Sequence, residues 1–110
     1  MKSLFEIRES LKKQFPVVQK DYQVKNLGIF GSYIRNEQTE ESDLDILVEF
    51  MPDARFGLLK FCALENHLSE ILEIKVDLVI KEGLKPHIGE CILAEVDYLS
   101  DFNTESIRKS

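Results

Sequence analysis

The stretch GSYIRNEQTEESDLDILVEF, residues 31–50, decides how the rest of the chain is read. It opens on Gly31-Ser32, passes through a short polar segment and reaches Asp43-Leu44-Asp45, after which Ile46, Leu47 and Val48 are apolar without a break. Side chains two apart on a strand share a face. A strand over Asp43–Phe50 therefore presents Asp43 and Asp45 together and turns Leu44 into the core. The apolar run that follows suits a central strand buried on both sides, and Pro52 closes it.

Working outward, Val24–Phe30 reads as a preceding strand that runs into Gly31-Ser32, a point of punctuation. Before it, Leu4, Phe5, Ile7, Leu11 and Phe15 recur at helical spacing, with Ser3 placed as an N-cap. Pro16 is expected to end that helix. Between the two strands, Tyr33 to Glu41 reads as a helical turn followed by an acidic loop. Downstream, Gly57 to Glu73 carries one apolar stripe, Phe61, Leu64, Leu68, Ile71 and Leu72, and predicts a second long helix. Lys75–Ile80 is a third strand. After Gly83 and Pro86, Ile88, Ile92 and Val96 mark a last helix. The order predicts an α/β (α+β) fold in a single domain over residues 1–110: a small mixed three-stranded sheet packed with about four helices. Residues 101–110 are polar and expected to form a loose tail.

Two carboxylates one pleat apart repel unless a cation lies between them. Magnesium is a hard ion that takes such oxygen ligands together with substrate phosphates. If Gly31-Ser32 and Asp43-Leu44-Asp45 share a site, their strands are antiparallel, and the helical connection then allows a parallel, right-handed crossover to the third strand. That crossover brings Asp77 beside Asp43 and Asp45. Its neighbours Val76, Leu78, Val79 and Ile80 are apolar, so its carboxylate is costly to bury without a partner, which a metal supplies. Gly31 lacks a Cβ and lets an anion approach the backbone; the amides of the following turn and the Ser32 hydroxyl can then face it. Asp-x-Asp alone is common at strand edges, and Gly-Ser alone is weaker still. Their ordered combination with Asp77 is what points to a site.

Composition narrows the function. A formal net charge of -6 argues against wrapping long nucleic acid, which needs clustered Lys and Arg, but is compatible with ATP whose phosphates are met by bound cations. Cys62 and Cys91 are widely separated, form no CxxC pair and sit among apolar neighbours, so they are expected to be buried free thiols in a reducing cytosol. The spaced apolar residues of MKSLFEIRESLKKQF do not form a signal peptide, and no stretch approaches the ~20 apolar residues of a membrane span; a cytoplasmic location is expected. His67, expected on the polar side of the second long helix, and His87, after Pro86, lack metal-ligand partners at useful spacing. Glu40-Glu41 reads as a solvated loop, open to contact with a basic partner, and no role is assigned to Asp53 or Arg55.

Residues 31–50 resemble the signature of the polymerase-beta-like nucleotidyltransferase superfamily, Gly-Ser, ten residues, Asp-x-Asp. More narrowly, the chain is similar to the minimal nucleotidyltransferase (MNT) antitoxins that partner HEPN-domain ribonuclease toxins, and the resemblance extends to the ILAEVDYL segment near the end. The resemblance implies that Gly31 and Ser32 bind ATP phosphates, that Asp43 and Asp45 hold two magnesium ions, and that Asp77 completes one metal site and helps deprotonate the attacking hydroxyl. It implies transfer of one or more AMP units to a toxin tyrosine, silencing the toxin. Many relatives read Ala-Arg-Gly after the Gly-Ser-aromatic triplet, where this chain has Ile34-Arg35-Asn36. Arg35 is placed either to touch a phosphate or to form a helix-capping salt bridge, and Asn36 can take the left-handed backbone that the glycine uses. Two other functions stay open on the sequence: neutralisation of the toxin by binding alone, and transfer to a small-molecule hydroxyl. A homo- or hetero-oligomer is compatible with the apolar helices.

Overall fold

The computed structural model describes residues 3–55, 57–83 and 86–99, with the side chains of 86–88 outside that description. The proposed tail, residues 101–110, also lies outside it.

Ser3 opens the first helix with a capping box. Its hydroxyl accepts the Glu6 N–H at 3.2 Å, and the Glu6 carboxylate reaches back to the Ser3 N–H at 3.4 Å. Helix α1 spans Leu4–Tyr22 and does not stop at Pro16. Proline leaves the carbonyl four residues earlier without its helical partner and normally breaks or kinks a helix at a cost of about 3 kcal/mol. Here the turn beyond it is retained because Val18 is wholly buried and Tyr22 packs against the core, while Pro16 itself faces solvent.

Strand β1 (Val24–Phe30) pairs antiparallel with β2 (Leu44–Phe50), and β2 pairs parallel with β3 (Val76–Ile80). Helix α2 (Leu58–Leu72) makes the crossover between β2 and β3. Alternate β2 residues Leu44, Ile46, Val48 and Phe50 join Ile7, Leu11 and Val18 of α1 and Leu64, Leu68 and Leu72 of α2 in one buried cluster. Burial of these side chains, each worth about 1.5–3 kcal/mol, fixes which face of the sheet the helices cover. It therefore also fixes which face the intervening residues, Asp45 among them, must take.

The sheet has four strands, in the order β3-β2-β1-β4, where three were expected. Helix α3 (Pro86–Glu95) ends before Val96, and Asp97–Tyr98 forms the short strand β4, antiparallel to β1 with Gly28 opposite Tyr98. Gly28 makes that pairing possible: a Cβ there would stand 2.5 Å from Val96 Cγ2 and 3.1 Å from Tyr98 Cδ1. Among the described residues three α-helices and two 3-10 turns, Gly31–Tyr33 and Lys81–Gly83, accompany the sheet, where about four helices were expected.

Cys62 and Cys91 are exposed rather than buried. On α2 the inward positions are taken by Leu64, Leu68 and Leu72, which leaves Cys62 on the outer side. His67 is half-buried against Tyr22, ring centroids 5.8 Å apart, with no hydrogen-bond partner for Nε2 among the described residues, so it is a packing residue and not the surface residue expected. Among the described residues no helix is long and apolar enough to cross a membrane.

Candidate active site

Leu44, Ile46 and Val48 turn toward the helices, so Asp45 between them turns to the opposite face. In the parallel register Asp45 lies beside Asp77, just as Leu44 lies beside Val76 and Ile46 beside Leu78. Paired residues share a face, so the Asp45 and Asp77 carboxyls emerge side by side. Asp43, immediately before β2, is close enough for its charge to act on Asp45. The fold thus brings Asp45 and Asp77 together on one face, with Asp43 just outside the strand and near enough for its charge to reach Asp45.

Electrostatics at Asp45 reflect that meeting. Its carboxyl is pushed up to about 6 by partial burial first, then by the charges of Asp77 and Asp43, with Glu95 adding a little and Arg35 opposing. Partial burial beside like charges disfavours the ionised form, and the donor set, hard carboxylate oxygens around an open face, fits a hard divalent cation. Among the described residues no three acidic, His or Cys side chains form a ready-made cage. Magnesium seldom uses one, since it is held by one or two carboxylates with water and substrate phosphates completing the shell.

The strand β1 ends against this row, with Phe30 paired to Asp45. Gly31 then takes a φ of 81°, a conformation natural to glycine. A Cβ at Gly31 would run into the Asp45 carboxyl, 3.0 Å from Cγ and closer still to Oδ2. The missing side chain is thus what lets the turn and the carboxylate approach one another. The Gly31 carbonyl accepts the Ile34 and Arg35 N–H groups, each at 3.1 Å, which closes the turn. The Ser32 carbonyl accepts the Glu37 N–H at 2.8 Å, while the Ser32 hydroxyl makes no hydrogen bond among the described residues. Asn36 has a φ of 59°, the left-handed backbone anticipated for the position where relatives carry glycine.

Arg35 is held in ion pairs at both sides. Its Nε donates to Glu37 Oε1 at 2.8 Å, and its Nη1 donates to both oxygens of Glu95, at 3.0 and 2.9 Å. It also lines a cleft of about 390 Å³ together with Phe30, Gly31, Asp45 and Glu95. A second, larger cleft of about 760 Å³ is lined by Tyr33, Glu40, Glu41, Ser42, Asp43 and Lys75 among others.

Glu95 was not foreseen from the sequence. It lies 64 residues beyond Gly31, yet accepts the Gly31 N–H at 3.0 Å as well as binding Arg35. Its place on the last residue of α3, where a carboxylate faces the negative end of the helix dipole, is known only from the structure, since the sequence carries the apolar spacing of that helix on to Val96.

A family model for the nucleotidyltransferase domain matches residues 6–108 of this chain. The chain belongs to the nucleotidyltransferase domain family. Among its relatives, the candidate protein adenylyltransferase MJ0128 of Methanocaldococcus jannaschii is 49% identical over 100 residues, covering 90% of this chain and 100% of that protein. The protein adenylyltransferase MntA of Thermococcus cleftensis is 41% identical over 99 residues, covering 90% and 98%. Among solved structures, a candidate minimal nucleotidyltransferase superposes with a TM-score of 0.74 at 30% identity, over 87% of this chain and 95% of that one. The same nucleotidyltransferase fold recurs, with a TM-score of 0.62 at 18% identity over 84% and 71% of the chains, in the complex of an MNT antitoxin with the tri-AMPylated HEPN toxin of Shewanella oneidensis.

Proposed function

We propose that this nucleotidyltransferase is an antitoxin that transfers AMP from ATP to a tyrosine hydroxyl of a HEPN-domain ribonuclease partner, working in the cytoplasm as a single domain over residues 1–110. The observation that carries the proposal is the register of β2 and β3, which sets Asp45 beside Asp77 with Asp43 next to them, against a glycine turn whose open geometry admits Asp45. The similarity to MntA of Thermococcus cleftensis supports a protein as acceptor, and the shared fold of the Shewanella complex supports a HEPN partner.

In this mechanism Gly31, Ser32 and Arg35 hold the ATP phosphates, the free Ser32 hydroxyl donating to a phosphate oxygen. Asp43 and Asp45 hold two magnesium ions, and Asp77 completes one of the two sites. When bound, the ions supply Lewis-acid polarisation of the α-phosphate and lower the pKa of the incoming hydroxyl. The tyrosine oxygen bonds to the α-phosphorus as the bond to the bridging oxygen breaks. The hydroxyl proton passes toward the Asp77 carboxylate and pyrophosphate departs. Two clefts, one against Asp45 and one against Asp43, suit a transfer between two substrates.

The test is incubation of the chain with ATP, magnesium and a candidate HEPN-domain partner from the same organism, followed by intact-mass measurement of that partner. A mass increase of one or more AMP units is expected. The Asp43→Asn/Asp45→Asn variant, shown folded by circular dichroism, should lose transfer by at least about 100-fold, since metal stabilisation of the transition state is worth several kcal/mol. A stable complex without modification would favour neutralisation by binding alone, and labelling of an added small alcohol in place of the protein would favour a small-molecule acceptor. Near-normal transfer by the folded double variant would end the metal mechanism.

A further inference from the structure

The carboxylate of Glu95 joins three parts of the fold that the chain keeps far apart: the end of α3, the Gly31 turn and Arg35. Oε1 accepts both the Gly31 N–H, at 3.0 Å, and Arg35 Nη1, at 3.0 Å, while Oε2 accepts Arg35 Nη1 at 2.9 Å. From these contacts we infer that Glu95 is a positioning residue for nucleotide binding, fixing the Gly31 turn through its N–H and setting the Arg35 guanidinium in the geometry that receives the phosphates. The inference rests on the nucleotide-binding part of the proposed function and adds to it a residue outside the Gly-Ser and Asp-x-Asp block.

Arg35 is about half exposed, and a long exposed side chain samples many rotamers. Glu95 on one side and Glu37 on the other hold its Nη1 and Nε, and Nη2 has no partner among the described residues. Two of the three guanidinium nitrogens are thus committed to orientation, and the third remains to meet an anion. At Gly31 the carbonyl is taken by the Ile34 and Arg35 amides, so the bond from its N–H to Glu95 fixes the remaining polar group of the residue that shapes the turn. Glu95 stands at the C-terminal end of α3, where the helix dipole disfavours an anion. The placement is stabilised by Arg35 and the Gly31 amide, not by the helix that carries it. The strand β4 follows at once and anchors α3 to β1, so the carboxylate is presented from a fixed element.

The same geometry allows an opposite role. In that role the carboxylate is an internal competitor that ATP must displace from its donors. The two roles predict opposite signs. Affinity for a non-hydrolysable ATP analogue with magnesium is measured by calorimetry on the full chain, for wild type, Glu95→Gln, Glu95→Ala, Arg35→Ala and the Glu95→Ala/Arg35→Ala double variant. Melting temperatures are recorded without nucleotide. If Glu95 positions Arg35, Glu95→Ala weakens binding about 10-fold, Glu95→Gln less because it keeps an acceptor for the Gly31 N–H, and the double variant is little worse than Arg35→Ala alone. In transfer assays the change should fall on KM for ATP more than on kcat. Unchanged or tighter binding by either Glu95 variant overturns the inference, as does an affinity loss that adds in full to that of Arg35→Ala. A wild-type chain that binds the analogue yet modifies no partner would defeat the proposed acceptor and leave Glu95 to be judged on affinity. A wild-type chain that binds no nucleotide would defeat both.

Discussion

Gly31 is the position where one missing methyl group connects backbone to chemistry. Its φ of 81° disfavours any other residue, and the space a Cβ would fill is taken by the Asp45 carboxyl. Gly31→Ala is therefore expected to cost about 1–2 kcal/mol from the backbone conformation alone and to push Asp45 out of line with Asp77. Chemical denaturation should show the stability loss, and AMP transfer should fall by more than that loss explains. Full transfer by Gly31→Ala would mean that the turn does not need to approach Asp45. That Asp45 and Asp77 share a face was legible in the sequence, because a strand period of two fixes which neighbours lie together; the burial expected of Asp77 among its apolar neighbours is not found, since Asp77 is exposed while Val76 and Leu78 on the other face are buried. The left-handed backbone at Asn36 was legible for the same kind of reason, from what each residue type tolerates. Glu95 was not, since no local pattern relates it to a turn 64 residues away.

Strands and helices with strong periodicity emerged much as their spacing indicates. β2, β3 and α2 each came within a residue or so of the expected limits, because their apolar faces are complete within one element. Where the deciding partner lies elsewhere, the local signal misled. Pro16 would end an isolated helix, but the burial of Val18 carries α1 on to Tyr22. Val96 fits the apolar spacing of α3, yet the chain leaves the helix there because the bare backbone of Gly28 offers Tyr98 a strand to pair with. Cys62 and Cys91 are exposed against expectation because apolar neighbours in sequence are not neighbours in space. Gly28→Val should consequently separate β4 from β1, destabilise the fold by about 1–3 kcal/mol and raise KM for ATP through the loosened Glu95. Faster hydrogen exchange at Tyr98 and an upward shift in KM are the readouts. An unchanged exchange rate at Tyr98 would show that Gly28 does not gate the pairing.

The domain as a whole carries a net charge of -6 and gathers part of it at one end of its sheet. Because the folded-state pKa of Asp45 is raised from 3.8 to about 6, the folded form binds this proton more tightly than the unfolded chain does. Without metal, that group's contribution to stability is greatest at low pH and is lost as pH rises from about 4 through about 6. A cation bound beside the ionised carboxylates offsets this loss and stabilises the folded state by mass action. Magnesium should thus raise the melting temperature more at pH 7.5 than at pH 5, with the difference removed in Asp45→Asn. Equal magnesium effects at the two pH values would show that these carboxylates do not bind the ion. The claim on which everything else depends is that the three aspartates jointly hold divalent metal beside the Gly31 turn. Crystals grown with manganese and a non-hydrolysable ATP analogue test it most directly through anomalous scattering. The account predicts peaks at coordination distance, about 2.0–2.3 Å, from Asp43, Asp45 and Asp77 with the analogue's phosphates completing the shell. Peaks elsewhere on the surface, or a nucleotide bound with no metal touching Asp45, would contradict it.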